Sequence, residues 1–362
     1  MPQIEANGID IEYESFGPEA RETILLIMGL GAQLTQWPLE LCEDLVTRGY
    51  RVIRFDNRDA GLSSRFERDR AFALTDAFFS LAAGKPAFVL YSLGDMAADA
   101  VGLLDALGIE KAHIVGASMG GMIAQLVAAE YPERTLSLTS IMSSSGNPLL
   151  PHPKSRVLGM MMSPAPHASN RQAVIARGIK TYETIGSPGF PTDEETLRAW
   201  VTRDAARAYH PAGVMRQMAA VLTNGDRRPK LRKIVAPTVV LHGGDDPLVP
   251  FAAGEDTAAN IEGAELRIVE GMGHDMPLAL IGTIADAIVA AAERATGVKL
   301  DEEDMVAPAE TPAIIEAAIP IADEDLLPDE PAQTVAVADV QRAAFLARVR
   351  LWFKTLLARL FS

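Results

Sequence analysis

The sequence predicts a doubly wound α/β fold, a mostly parallel β-sheet covered by helices on both faces. Three observations predict it. Short apolar runs bounded by turn residues alternate with longer helical stretches through residues 1–300, the pattern of successive βα units. The runs are apolar at consecutive positions, as in strands buried on both faces. Between Ser144 and Pro237, about ninety residues hold no strand-like run, which predicts a helical insertion over one edge of the sheet.

The elements follow in order. Asn7-Gly8 lies between QIEA and IDIEYESF and predicts a hairpin, because a type I′ turn needs positive φ at both central residues. The buried strands are expected at TILLIMG (23–29), RVIRFDN (51–57), AHIVGAS (112–118), LSLTSIMSS (136–144), PTVVLHGG (237–244) and ELRIVEG (265–271). Helices are expected over LGDMAADAVGLLDALG (93–108), MGGMIAQLVAAEYPE (119–133) and MPLALIGTIADAIVAAAERA (276–295). Within the insertion, ETLRAWVTRDAARA and GVMRQMAAVLT read as helices, and SPGFP interrupts them.

Composition narrows the class. The 362 residues are 48% hydrophobic and 22% charged, which excludes a fully disordered or collagen-like chain. Cys42 is the one cysteine, so neither an intrachain disulfide nor a cysteine zinc cluster can form. The net charge of −15 repels a polyanion, and nucleic acid is not an expected partner. The acidic N-terminal segment MPQIEANGIDIEYESFG has neither a basic nor an apolar leader region, so no signal peptide is expected. No run reaches the roughly 18 apolar residues of a membrane span. A cytoplasmic protein is the expectation.

Gly116-Ala117-Ser118-Met119-Gly120 has the form G-x-S-x-G, after the strand AHIV and at the start of the helix MGGMIAQLVAA. A nucleophilic serine on such a turn has its oxygen exposed on a strained backbone that only small neighbours permit. The helix N-terminus then faces developing negative charge. Serine needs a general base. His113 sits inside a buried strand, and His152, His167 and His210 fall in the insertion without an evident partner. His274, in GMGHDMP between a strand and the last core helix, has flanking glycines that let its loop turn the ring inward. An imidazole base needs a carboxylate to orient it. LHGGDDPLVP sets Asp245 and Asp246 directly after a buried strand, where sites in open sheets collect. Asp-Pro also begins turns, and the residues alone leave both aspartates open.

With these motifs the chain resembles the α/β-hydrolase superfamily. Ser118, Asp246 and His274 follow its serine–acid–histidine order. Its pattern H-G-x-x-D-x-x-x-P is met by His242, Gly243, Asp246 and Pro250, which selects Asp246, and its G-x-x-H by Gly271 and His274. The resemblance covers about residues 1–298. It implies an eight-stranded, mostly parallel sheet with a core of residues 1–146 and 232–298 and a helical lid at 147–231. It also implies an oxyanion hole formed by the backbone N–H groups of Leu30 and Met119. The segment Met28-Gly29-Leu30-Gly31 has methionine where the family has histidine, which removes a side chain that often braces this loop. Gln33 and Trp37 follow and are candidates to line the acyl pocket, with core packing the alternative for Trp37. RFDNRDAGLSS (54–64) resembles the superfamily loop D-x-R-x-x-G-x-S, and its D-N-R-D-x-G form resembles the aclacinomycin methylesterase-like branch. Asp56 and Arg58 are expected to form a structural ion pair beneath the site.

Serine at the elbow separates the chain from the haloalkane dehalogenases and epoxide hydrolases of this fold, which carry aspartate there. The resemblance implies hydrolysis of a small-molecule carboxylic ester through an acyl-enzyme, with no metal and no organic cofactor. Lactone opening, perhydrolysis and carbon–carbon bond hydrolysis use the same residues, and some proteins of this fold bind ligands without turnover. Met160, Met161, Met162, Phe190, Met215 and Met218 suggest an adaptable apolar acyl site, or packing of the lid on the core.

The C-terminal segment departs from a minimal hydrolase. Residues 301–336 hold eleven acidic residues, five prolines and no basic residue, so the stretch 299–336 reads as a solvated linker. Residues 337–362 carry Arg342, Arg348, Arg350, Lys354 and Arg359 against Asp339 alone. On a helical wheel Phe345, Val349, Trp352, Phe353, Leu356 and Leu360 share one face, a basic amphipathic pattern suited to a membrane interface. The same face could dock on the enzyme itself or pair with a second copy. A chain ending near residue 300 should keep ester hydrolysis, because Ser118, Asp246 and His274 precede that point. A membrane-seeking tail requires that full-length protein co-sediment with anionic vesicles, that salt weaken this, and that truncation abolish it. Absence of co-sedimentation at low salt, with a truncation-sensitive dimer in its place, decides for self-association.

Overall fold

Asn7 and Gly8 have φ of 50° and 74°, and they turn β1 (Gln3–Ala6) into β2 (Ile9–Phe16) with Ala6 opposite Ile9. The hairpin therefore forms where its Asn-Gly pair predicts. The computed structural model describes residues 2–66, 89–161 and 163–297. Met162, the acidic stretch 299–336 and the basic segment 337–362 lie outside the described residues. Among the described residues no helix is long and apolar enough to cross a membrane.

Beyond the hairpin the chain alternates strand and helix. β3 (Thr23–Ile27), α1 (Leu39–Thr47) and β4 (Arg51–Phe55) lead to α2 (Leu93–Ala106). β5 (Ala112–Ala117), α3 (Met119–Glu130) and β6 (Thr135–Ile141) follow. The insertion carries α4 (Ser155–Met161), α5 (Arg171–Ile185), α6 (Glu194–Arg207), α7 (Pro211–Asn224) and the short α8 (Arg228–Leu231). β7 (Thr238–Gly243), α9 (Ala252–Ala259), β8 (Glu265–Val269) and α10 (Ile281–Thr296) complete the described chain. The eight strands form one sheet in the order β1-β2-β4-β3-β5-β6-β7-β8. β1, β2 and β4 pair antiparallel, and every pair from β4 to β8 is parallel.

The central strands carry apolar residues on both faces because both faces are covered. Alternate residues point to opposite faces. Leu25, Ile27, Ile53, Phe55 and Ile114 pack on one face against α2 and α3. Ile24, Leu26, Val52, Val115 and Leu241 pack on the other against α1 and α10. Local signals start and stop the helices. Ser92 and Asp95 close a capping box at α2, with the Ser92 N–H donating to Asp95 Oδ2 at 2.7 Å and the Asp95 N–H to Ser92 Oγ at 3.2 Å. Asn170 and Asp193 cap α5 and α6, and Gly297 ends α10 with φ of 68°, a left-handed conformation glycine adopts without steric cost.

The loop after β4 joins the sheet to the insertion through buried charge. Asp56, fully buried, accepts from the N–H groups of Leu34 and Leu62 at 2.7 and 2.9 Å and pairs with Arg207 of α6 at 2.7 Å. Asp59 accepts two hydrogen bonds from Arg216 of α7, both at 2.7 Å, and one from the Tyr91 hydroxyl at 2.7 Å. Arg58 makes a bidentate pair with Asp99 of α2 at 2.5 and 2.6 Å and lies over the rings of Phe66 and Tyr91. The expected Asp56–Arg58 pair therefore does not form. The two side chains serve different neighbours, one in the insertion and one on the opposite side of the loop. Burial pushes the Asp56 carboxyl above the usual carboxylate range, and Arg207 with the two N–H donors offsets only part of this. Burial also raises Asp59, but Arg216, the Phe66 N–H and Tyr91 together hold it below that range.

Arg207→Ala should leave Asp56 buried without its cation, held only by the Leu34 and Leu62 N–H groups, and cost up to about 3–5 kcal/mol of unfolding free energy, measurable by chemical denaturation. A carboxylate whose pKa is raised in the folded state binds its proton more tightly there than in the unfolded chain, so the penalty is full only at pH values above that raised pKa. It should shrink as pH falls through the raised Asp56 pKa.

Candidate active site

The turn from β5 into α3 leaves no room for side chains. A Cβ on Gly116 would enter the backbone of Gly120, and one on Gly120 would enter the carbonyls of Ile27 and Met28. The helix thus begins in contact with the ends of β3 and β5, and Ser118 alone makes the turn, with φ of 55° and ψ of −119°. A non-glycine residue in that region is strained by about 1–3 kcal/mol. Its backbone is held by a hydrogen bond from the Ser118 N–H to the Ile141 carbonyl at 2.9 Å and one from the Ser143 hydroxyl to the Ser118 carbonyl at 2.7 Å. The Met119 N–H heads α3, among the first-turn donors that have no intrahelical partner.

Three residues distant in sequence meet at this turn. The Ser118 hydroxyl donates to His274 Nε2 at 2.9 Å, and His274 Nδ1–H donates to Asp246 Oδ2 at 2.6 Å. Asp246 Oδ1 accepts from the N–H groups of Leu248 and Val249, both at 2.8 Å, which fixes the carboxylate and, through it, the imidazole tautomer. His242 Nε2–H donates to the Val249 carbonyl at 2.8 Å and braces the loop that carries Asp246, and burial pushes its pKa down. Asp245 is directed away and accepts from the Gly271 N–H at 3.0 Å.

The loop of His274 is held from the insertion, which sequence reasoning missed. The His274 N–H donates to the Ile185 carbonyl at 2.7 Å, the Gly189 N–H to the Gly271 carbonyl at 2.9 Å, and the Gly273 N–H to Ser187 Oγ at 2.9 Å. The Ser187 hydroxyl in turn donates to Asp275, whose carboxyl is pushed up by burial. No local pattern in Ile185–Gly189 signals this contact.

The remaining candidates fall on both sides of expectation. Gly29 lies against Ser118, where an added Cβ would be 3.3 Å from the serine Cβ, so the Met28–Gly31 segment lies beside the hydroxyl. Trp37 is fully buried in the core layer with Leu41, Leu45 and Val52, and its carbonyl accepts from Arg54. It takes the core position of its two alternatives, with no surface left for a ligand. Gln33 directs Nε2 to the carbonyls of Asp204 and Ala208 at 2.7 and 3.0 Å and receives Arg207 on Oε1 at 2.8 Å. Its amide is used to hold α6 and is not free for a substrate. Of the insertion's methionines, Met161 and Met215 are exposed, and Met160 and Met218 are half-buried, as is Phe190.

The parallel sheet, the strand-to-helix serine turn and the serine–histidine–aspartate contact define an α/β enzyme scaffold. A family profile described as alpha/beta hydrolase fold matches residues 22–278, and the chain belongs to that family. It is similar to the rhodomycin D methylesterase DauP of Streptomyces sp. (strain C5), 30% identical over 81% of this chain and 98% of the relative. It is also similar to the rhodomycin D methylesterase DnrP of Streptomyces peucetius, 31% identical over 78% of this chain and 95% of the relative. Among solved structures, the enol-lactonase of Burkholderia xenovorans LB400 shares the fold with a TM-score of 0.61, at 19% identity over 80% of this chain and 99% of the other.

The close approach at the turn makes a stability prediction. Gly120→Ala should cost more than about 3 kcal/mol, the upper end of ordinary overpacking, read as loss of the cooperative thermal transition. Gly282→Ala in α10, where nothing lies near an added Cβ, is the control and should be neutral or slightly stabilising.

Proposed function

We propose that this protein is a serine hydrolase that cleaves a carboxylic ester through an acyl-enzyme intermediate on Ser118. The observation that carries the reading is the pair of hydrogen bonds linking Ser118 to His274 and His274 to Asp246, at 2.9 and 2.6 Å. Asp246 holds the proton on Nδ1, so Nε2 is free to accept the serine proton as Oγ attacks the ester carbonyl. The imidazolium that forms is stabilised by the adjacent carboxylate. The carbonyl oxygen, now an oxyanion, sits between the N–H groups of Leu30 and Met119, the second at the positive end of α3. His274 then protonates the departing alcohol. Water enters, loses its proton to the same nitrogen and releases the acid from Ser118. No step in this sequence calls on a metal or an organic cofactor.

Two further facts favour an ester over the other substrates open to this chemistry. Two relatives, 30 and 31% identical over 98 and 95% of their own length, are named as methylesterases, and the segment 54–64 has the D-N-R-D-x-G form. Both favour an ester with a small alcohol half.

Ser118→Ala should lower kcat by on the order of 10⁶-fold on a chromogenic short-chain ester while leaving the thermal transition in place. Wild-type rates in this variant would overturn the assignment. Asp246→Asn should lower kcat by about 10⁴-fold, because the imidazole loses the anion that sets its tautomer. Asp245→Asn should be mild, since its carboxylate only braces Gly271. If the two effects are reversed, Asp245 is the orienting acid.

A further inference from the structure

The loop that holds the Leu30 N–H is fastened at both ends by side-chain amides. At its start, Asn57 Nδ2 donates to the Met28 carbonyl at 2.8 Å. At its end, the Gly31 N–H donates to Gln217 Oε1 at 2.7 Å. Gln217 belongs to α7 of the insertion and is fully buried, and its Nε2 donates to the Arg58 carbonyl at 2.7 Å. Both polar ends of the side chain are therefore used, one on the Leu30 loop and one on the loop after β4. Between the anchors, the Ala32 N–H donates to the Gly29 carbonyl at 3.3 Å, closing a turn with Leu30 and Gly31 at its centre. Gly31 has φ of 67°, as the third position of a type II turn requires. In that turn the Leu30–Gly31 peptide stands out of the turn plane, and an acceptor on the Gly31 N–H opposes its rotation. α7 also touches the turn through Val214, one helical turn before Gln217, since a Cβ on Gly31 would come within 2.8 Å of Val214 Cγ2.

We propose that Gln217 is a positioning residue for the oxyanion hole, acting from the insertion through the Gly31 N–H. The inference rests on the serine-hydrolase reading above, in which the Leu30 N–H is one of the two donors. Met28 stands where a histidine would otherwise brace this loop from within, and the amides of Asn57 and Gln217 replace that brace from outside it. The insertion is then part of the acyl-transfer machinery as well as a cover. α7 has to remain seated during the reaction, held also by the Arg216–Asp59 pair, and substrate has to enter without lifting it.

The test is Gln217→Met, which keeps length and volume but removes the strong acceptor and the donor. A misplaced oxyanion donor costs transition-state binding and leaves ground-state binding in place. kcat should fall by about tenfold or more, up to the 10²–10³ seen when a donor is removed outright, with KM within about twofold. The second readout is Ki for an aliphatic trifluoromethyl ketone, which forms a tetrahedral adduct with the serine and needs the oxyanion hole. Ki should weaken in parallel with kcat. A purely structural role for Gln217 would lower the folded fraction and Vmax but leave Ki unchanged, and an unchanged Ki and kcat in folded Gln217→Met overturns the proposal. If that variant does not fold, the wild-type Gly31 amide decides. Slow hydrogen exchange supports the bond, and exchange at the rate of a free loop amide overturns it. The two readings fail differently. A wild type that neither hydrolyses esters nor binds the ketone through Ser118 overturns both. A wild type that does both, matched by Gln217→Met, overturns only the role of Gln217.

Discussion

The constraint on which the site depends is the absence of any side chain where Gly116 of β5 and Gly120 of α3 touch. Gly116 and Gly120 bring backbone against backbone, and Gly120 also abuts Ile27 in the neighbouring strand. With the helix seated that close, one residue must complete the change from extended to helical chain, and Ser118 does so at φ of 55°. The cost is about 1–3 kcal/mol for a residue with a Cβ, offset by the two hydrogen bonds on its own backbone and by the burial of α3 across the sheet. The same geometry that strains Ser118 stops its hydroxyl from folding back as a helix cap, and no side-chain cap bond forms there. The hydroxyl is left to His274. In the proposed serine-hydrolase reading, reactivity and packing at this turn are one arrangement.

A second arrangement governs the insertion. Asp56 and Asp59 lie within four residues of each other, yet each is paired with an arginine from a different insertion helix. Desolvating such charges roughly cancels their attraction, so the pairs are a weak source of net stability. Their effect is on position. Any sliding of α6 or α7 leaves a buried carboxylate unpaired, and hydrophobic contacts alone do not impose so steep a penalty. Arg58, held between Asp99 and two aromatic rings, keeps the loop itself from following the helices. The insertion is thus keyed to the sheet by charge as well as by apolar contact.

The degree to which this was legible in the sequence follows the range of the interactions. Strands β3 to β7 are readable because both faces are buried and apolar residues fall on each of them. The hairpin is readable because Asn7-Gly8 is a local conformational demand. Ser118 and His274 were legible from local motifs, and Asp246 was separated from Asp245 only through the superfamily pattern. In the structure Asp246 is the aspartate that meets His274 and is capped by the Leu248 and Val249 N–H groups. What failed was partner choice. Asp56 and Arg58 are two residues apart with opposite charge, and nothing local says that the guanidinium for Asp56 comes from residue 207. Helix α5, in the sequence RQAVIARGIKTYETI, has weak amphipathic order and was not singled out. Trp37 could not be assigned because an aromatic ring that lines a pocket and one that fills a core look the same in one dimension.

Met28 shows why a departure from a motif is not in itself a loss. Read along the chain, replacing histidine by methionine removes a polar brace from a loop that, in the proposed mechanism, must hold an N–H in place. In three dimensions Met28 is buried in the core layer beneath α1, and its carbonyl is bonded to Asn57. The demand on the loop is for fixed backbone, and it can be met by any buried donor or acceptor that reaches it. A histidine within the loop meets it locally and leaves the neighbouring helices free to vary. Amides from the loop after β4 and from α7 meet it remotely and tie the loop's geometry to the seating of the insertion. The charged pairs at Asp56 and Asp59 then have a reason to be strict, because a loop held from outside is only as well placed as the helix that holds it.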